Sequence, residues 1–228
     1  MLARYIVRNA QRRERIKKMR KIPTLFKREF DAKTHKIINV LPEVTEGMEW
    51  VLNGEGVATI KWDGSCCAII DGKFYKRYDA KKGRKAPEGA IPCCDPDPVT
   101  GHHPHWVLVN PNDPADKWFV AARATLPSQL ISRQMFLKED CANYDVNRTY
   151  EAVGKHFNGN PYNWNFDTLI PHGMNTIEVE RTFEGIRDWL KDHDEEGIVF
   201  WKDGEPQCKI KRTDFGFEWP IRREKNDT

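Results

Sequence analysis

Ile60-Lys61-Trp62-Asp63-Gly64-Ser65 decides how the rest of the chain is read. A lysine, a carboxylate two residues on and a glycine sit between the apolar alternation Val57-Ala58-Thr59-Ile60 and a second apolar run, Cys66 to Ile70. That context reads as strand, tight turn and strand, a hairpin with Lys61 at its turn. Residues two apart on a strand face the same way, so strand geometry carried through Lys61 would aim its amine and the Asp63 carboxylate into one space. An amine beside a carboxylate suits nucleophilic attack on a phosphate ester, with the acid helping to hold a magnesium ion. Four residues alone are weak evidence. Lys-x-Asp-Gly arises by chance in roughly one chain in twenty of this length, so a charged surface hairpin competes until the remaining chain is weighed.

Upstream, residues 1 to 28 are strongly basic: Arg4, Arg8, Arg12, Arg13, Arg15, Lys17, Lys18, Arg20 and Lys21 stand against the acid Glu14. No proline precedes Pro23, so a helix is expected there. Three roles compete for it: a solvated arm, an arm that binds RNA phosphates, and an organelle transit peptide. The chain is accordingly read as a basic N-terminal arm, residues 1–20, followed by one domain, residues 21–228. A length of 228 residues fits one large domain, or one domain with a small appendage, and a net charge of +3 excludes a polycation. No run reaches the length of a membrane span and no secretory segment is evident, so no membrane partner is expected. The six cysteines include the adjacent pairs Cys66-Cys67 and Cys93-Cys94. Neighbouring cysteines rarely bridge each other, which points to a reducing setting, cytoplasmic or otherwise intracellular.

Between Pro23 and Trp50 short strands and turns are expected, Lys36 to Val40 being one strand. Downstream, Asp71-Gly72 predicts a hairpin between Cys66–Ile70 and Lys73–Asp79, which places Arg77 on a strand. Residues 80 to 117 read as long irregular loops. They contain Cys93, Cys94, His102, His103 and His105, residue types zinc prefers, but adjacent ligands match no familiar zinc module and favour a polar loop. An apolar strand is expected at Trp118–Ala122 and a helix around Pro127–Leu137. Thr149–Gly154 reads as a strand whose Glu151, flanked by apolar residues, needs a partner such as a lysine, a ribose hydroxyl or a hydrated metal. Thr168–Gly173 is a further strand. Phe183, Ile186, Trp189 and Leu190 share one face of a helix that serves the core. Glu195-Glu196-Gly197 then enters a buried strand, and Asp203-Gly204 turns it into Gln207–Arg212. There Lys209 and Lys211 share a face, with Ile210 opposite. Two neighbouring lysines repel, which makes sense if a polyanion sits between them, although an exposed strand face would also allow it.

The order Lys61-x-Asp63-Gly64, Arg77, Glu151, Glu196-Gly197-Ile198-Val199, Lys209-x-Lys211 resembles the covalent nucleotidyltransferase superfamily of ATP-dependent ligases and mRNA capping enzymes. Within it the chain is similar to a small family of 5′-to-3′ RNA ligases. That similarity rests on Lys61 to Cys67, Gly101 to Trp106, Tyr150-Glu151 through Gly159-Asn160-Pro161-Tyr162, Leu169 to Gly173, and Trp219-Pro220. It covers about Met19 to Pro220 and leaves out the basic leader. The resemblance implies an α+β adenylation domain, ATP-grasp-like, of two antiparallel sheets flanked by helices with the nucleotide cleft between them.

By the same resemblance Lys61 becomes covalently adenylated, and Asp63 and Glu196 organise the shell of a magnesium (or manganese) ion, through water. Glu151 and Arg77 hold the ribose, and Lys209 and Lys211 grip the α-phosphate. Val199, beyond Glu196, lines the nucleotide. The purine-stacking ring is left open between His172 and Phe157. A free lysine is almost wholly protonated at neutral pH, and Lys209, Lys211 and magnesium would favour the neutral, nucleophilic form of Lys61. The expected reaction is ATP-dependent RNA ligation by a monomer, with RNA repair as its setting. Lys61 takes AMP from ATP, AMP passes to an RNA 5′-phosphate, and a 3′-hydroxyl displaces it. DNA ligases and mRNA guanylyltransferases normally carry an OB-fold after the second lysine of the last motif. The 17 residues that follow Lys211 do not supply its five strands, so no such domain is expected. A catalytically silent RNA-binding module is the remaining alternative, and it would not need every one of these positions filled.

Overall fold

The computed structural model describes residues 14, 16–19, 21–34, 37–126 and 146–221. The helix expected around Pro127–Leu137 and most of the 1–20 arm lie outside the described residues. The strands run in the order β1 (Phe26–Phe30), β2 (Ile37–Val44), β3 (Val57–Lys61), β4 (Ser65–Ile70), β5 (Lys73–Ala80) and β6 (Ile91–Pro92). They continue as β7 (His103–Leu108), β8 (Arg148–Gly154), β9 (Asp167–Pro171), β10 (Thr176–Ile177), β11 (Gly197–Lys202) and β12 (Glu205–Lys211). Two α-helices are described, α1 (Lys117–Arg123) and α2 (Phe183–Asp192). The class is α+β, mostly strand.

The chain divides into two units, Gly64–His172 with the N-terminal residues through Arg20, and Lys21–Asp63 with Gly173–Thr228. The first is built on a six-stranded antiparallel sheet in the order β6-β7-β5-β4-β8-β9. Its β4–β5 hairpin turns at Asp71 and Gly72, both with left-handed φ (52° and 74°), the backbone that an Asp-Gly pair accommodates. Alternation along β4 sends Cys67 and Ile69 to one face, where they meet Phe74, Tyr150, Leu169 and Phe157, with Ala122 of α1 closing the layer. Cys66, Ala68 and Ile70 go to the other face, under Trp106, Cys93, Ile91 and the described residues Ile16 and Met19. The basic arm is therefore anchored at its end. Ile16 is buried, and the Trp106 indole N–H donates to the Lys17 carbonyl at 3.2 Å.

The second unit carries a four-stranded antiparallel sheet, β10-β3-β11-β12, and the separate ribbon β1–β2. Ala58, Ile198, Phe200, Cys208 and Ile210 all point to one face of the sheet and bury against Ile186 and Leu190 of α2, with Leu25, Phe26 and Val51. The Thr182 hydroxyl accepts the Gly185 N–H and caps that helix. Phe183 and Trp189 pack against the same cluster, as their spacing required.

Three expectations are corrected. β3 and β4 both exist, but they are not a hairpin: β3 belongs to the four-stranded sheet and β4 to the six-stranded one. Lys61 thus ends a strand whose neighbour is β11, and the segment after it leads from one sheet to another. Trp118–Ala122 is helical. Asp113 accepts the Ala115 N–H and starts a 3-10 turn at Pro114–Asp116, which runs directly into α1. The apolar residues there, Phe119 and Ala122, are spaced for one helix face as well as for a buried strand. Finally, the 80–117 stretch is not all loop. His103–Leu108 forms β7, paired along β5 from Ala80 to Tyr75, and its histidine and proline content masked a strand that buries Trp106 and His105.

Gly64 has an ordinary φ, so no turn demands a glycine there. A Cβ at Gly64 would lie 2.2 Å from the Ala152 carbonyl oxygen of β8. Gly64→Ala should therefore force β4 and β8 apart, a loss of about 1–3 kcal/mol typical of overpacking. A urea midpoint unchanged from wild type would contradict that close approach.

Candidate active site

Lys61, the residue singled out in the sequence, lies on the face of the four-stranded sheet opposite its core. Register places Lys61 of β3 and Lys211 of β12 on either side of Gly197 of β11, and Thr59 and Lys209 on either side of Val199. Lys61, Lys209 and Lys211 therefore share one face. Gly197 leaves the row between two of them without a side chain, and a Cβ there would fall 2.3 Å from the Ile210 carbonyl oxygen. Glu196, one residue earlier, is 4% exposed and fills this gap with charge. Its Oε2 accepts from Lys61 Nζ and its Oε1 from Lys211 Nζ. One carboxylate joins the two lysines that the motifs placed 150 residues apart in sequence.

Lys209 is held through its backbone. Its N–H donates to the Pro23 carbonyl at 3.0 Å, and its carbonyl accepts the Leu25 N–H at 2.8 Å. Burial pushes the Lys209 amine down to about 8, helped by the neighbouring charges of Lys61, Lys211 and Arg28 and opposed by Glu196. Lys211 is fixed at its backbone by Asp214, which accepts the Lys211 N–H at 2.8 Å and pairs with Arg28 at 2.7 Å. Asp63 accepts the indole N–H of Trp219 at 2.7 Å. The strand stops at Lys61, so amine and Asp63 are not aimed together by strand alternation; Lys61 finds Glu196 instead.

A second group lies on the six-stranded sheet. Glu151 stands opposite Cys66 across β4–β8, and Arg77 opposite Trp106 across β5–β7. The partner that Glu151 required is a histidine and a backbone amide. His172 Nε2 lies 3.0 Å from Oε2, and the Gly64 N–H donates to Oε1 at 3.1 Å. Arg77 pairs with Asp79 at 2.9 Å. Burial raises the Cys66 thiol well above its usual range, as does the Glu151 charge beside it, while Arg77 opposes. Phe157 is 3% exposed and packs edge-on against Phe119 in the core, which accounts for that ring without a ligand. His172, half-buried and bonded to Glu151, remains the ring on the Glu151 side.

Among the described residues no three metal-ligating side chains converge, and burial pushes the Cys93 thiol up to about 12. The Cys/His loop thus offers no assembled zinc set. Sequence reasoning did not single out Arg28 or Asp214. Arg28 was hidden in a basic run, and Asp214 carries only the signal of an acid three residues past Lys211.

No family model matches the chain. Over 88 residues it is 34% identical to a zebrafish (Danio rerio) protein named RNA ligase 1, a match that covers 33% of this chain and 26% of that protein. The matched region thus spans about a quarter of the length of the curated relative. No described helix is long and apolar enough to cross a membrane.

Lys209 gives a pH-dependent test. It binds a proton with an ordinary value of 10.5 when unfolded and near 8 when folded. Below 8 both states are charged and the folded state carries the full cost; between 8 and 10.5 the folded protein sheds the proton first, so stability rises with pH. Lys209→Met should raise the melting temperature at pH 7 by ~2–4 °C, about 1 kcal/mol after allowing for solvent. The advantage should vanish above pH 10.5. Equal melting temperatures at pH 7 would show that the repulsion is not felt.

Proposed function

We propose that this chain is an ATP-dependent RNA ligase of the covalent nucleotidyltransferase type, with Lys61 as its nucleophile. The observation that carries the reading is the cluster on the four-stranded sheet: Lys61, Lys209, Lys211 and Arg28 gathered around Glu196 and Asp214. An excess of cations, one of them a buried amine beside three others, suits a polyanion, and a triphosphate supplies one. The partial similarity to a protein named RNA ligase 1 supports the choice of RNA.

In this reading Lys61 Nζ attacks the α-phosphorus of ATP. The P–N bond forms as the bond to pyrophosphate breaks, and the proton leaving Nζ has an acceptor in Glu196 Oε2, already its hydrogen-bond partner. Lys209 and Lys211 neutralise the charge that builds on the phosphoryl oxygens. A magnesium (or manganese) ion would be held by phosphate oxygens, and through water by Asp63 and Glu196, since no all-protein cage is present among the described residues. When bound it would supply charge neutralisation at the leaving pyrophosphate. Trp219 keeps the Asp63 carboxylate oriented. Glu151, set by His172 and Gly64, and Arg77 take the ribose. AMP then passes to an RNA 5′-phosphate, and a 3′-hydroxyl displaces it to seal the strand.

Incubation with labelled ATP or GTP followed by denaturing electrophoresis tests the first step. Label should appear with ATP, vanish in Lys61→Ala, and vanish in Lys61→Arg because a guanidinium stays protonated. AMP found by mass spectrometry on another lysine, with Lys61→Ala still active, would overturn the assignment.

Substrate choice has its own comparison. With the 5′-phosphate strand held constant, changing the terminal nucleotides of the 3′-hydroxyl strand from ribose to deoxyribose should slow sealing, because the 2′-hydroxyl distinguishes RNA from DNA at a contact. Equal rates would remove RNA from the reading.

A further inference from the structure

The core explains Phe119 and Phe157, but a second set of rings in the same unit stays at the surface. Phe166 is 53% exposed, and Trp118 is exposed on α1. The Trp118 and His156 rings lie parallel, 3.4 Å apart between centroids with 4° between planes. Lys117 Nζ stands 4.6 Å from the Trp118 ring. Trp164 and Phe166 stack at 5.1 Å and 15°, and Tyr162 approaches Trp164 at 5.5 Å. The two stacks are joined through Asp167, which follows Phe166 and holds His156 Nδ1 at 2.6 Å.

The loop that carries Trp164 is held by its own hydrogen bonds. The Asn160 side chain both accepts the Trp164 N–H and donates to the Trp164 carbonyl, at 2.9 Å each. Asn158, Asn160 and Asn163 all adopt left-handed φ of 44° to 56°, a turn conformation that asparagine tolerates better than other non-glycine residues. α1 covers the sheet face that carries Cys67 and Tyr150, opposite the face of Glu151 and Cys66. The rings are therefore separate from the ribose group proposed above.

We propose that this aromatic face is a stacking platform for the bases of a single-stranded segment of RNA. The choice of RNA rests on the ligase reading. Phe166, exposed and backed by Trp164, offers a π-face to a base of any sequence, the exposed Trp118 extends the apolar surface, and Lys117 beside it suits the phosphate backbone. Of the nearby carboxylates, Asp167 is hydrogen-bonded to His156 and Asp116 is paired with Lys76.

Fluorescence anisotropy with end-labelled oligoriboadenylate and an abasic oligomer of equal length tests the platform. Wild type should bind the base-bearing strand more tightly. Trp118→Ala with Phe166→Ala should weaken that binding at least about fivefold, towards the abasic level, since each stacked base contributes measurably. Trp118→Tyr should keep most of it, and Lys117→Gln should flatten the salt dependence by about 0.7 in log-log slope. Self-labelling with ATP should be unchanged in all of these variants, which also reports that they fold. Unchanged oligoadenylate binding in the double variant, or equal binding of the abasic strand, would overturn the proposal. So would no oligonucleotide binding by wild type, which would leave the face to a protein partner. Loss of self-labelling in wild type with platform binding intact would sink the ligase reading alone.

Discussion

A single buried carboxylate, Glu196, holds the candidate site together. A charge so far from solvent is tolerated only when paired, and here both oxygens are taken by ammonium groups from two different strands. Those strands, β3 and β12, do not touch each other; β11 lies between them and contributes Gly197 at the row where the two lysines face each other. Exchange of Gly197 for any other residue would press a side chain against the Ile210 carbonyl and widen the sheet there. Arg28 and Asp214 then fix the backbone of Lys211, and Pro23 and Leu25 that of Lys209.

The adjacent cysteines illustrate how one strand serves two purposes. Cys67 faces the core of the first unit and donates to the Tyr150 carbonyl, whereas Cys66 faces Glu151 and meets the Met19 sulfur at 3.3 Å. Burial raises both thiols well above their ordinary range, which suits packing more than nucleophilic chemistry.

Much of this was legible in the residues. Asp71-Gly72 and Asp203-Gly204 announced hairpins because the left-handed turn leaves few alternatives, and both formed. The spacing of Phe183, Ile186 and Leu190 announced a helix because only one face of it is buried. Apolar content without a distinguishing period was misread at Trp118–Ala122, where the Asp113 cap decides for helix. At Lys61 the error was one of partner. Period-2 alternation identifies a strand but not its neighbour, and β3 pairs with a strand more than 130 residues away. The Glu196 link was legible only as a list of motifs in order; that one carboxylate bridges two lysines depends on register, which no local pattern encodes. Arg28 and Asp214 were invisible for the same reason.

The passage of the chain out of the four-stranded sheet after Lys61, and its return only at Thr176, sets an order of assembly during synthesis. The whole six-stranded sheet, residues 65 to 171, is an uninterrupted stretch that leaves the ribosome before β10, β11 or β12 exists. Domains fold as units as they emerge, and long-range pairings close last. β3 therefore lacks its partners β10 and β11 while the six-stranded sheet is synthesised, and Lys61 can meet Glu196 only after β11 and Lys211 only after β12 has been added. A nascent chain that has not yet reached β12 would therefore carry Lys61, the proposed nucleophile, without Lys211 beside it.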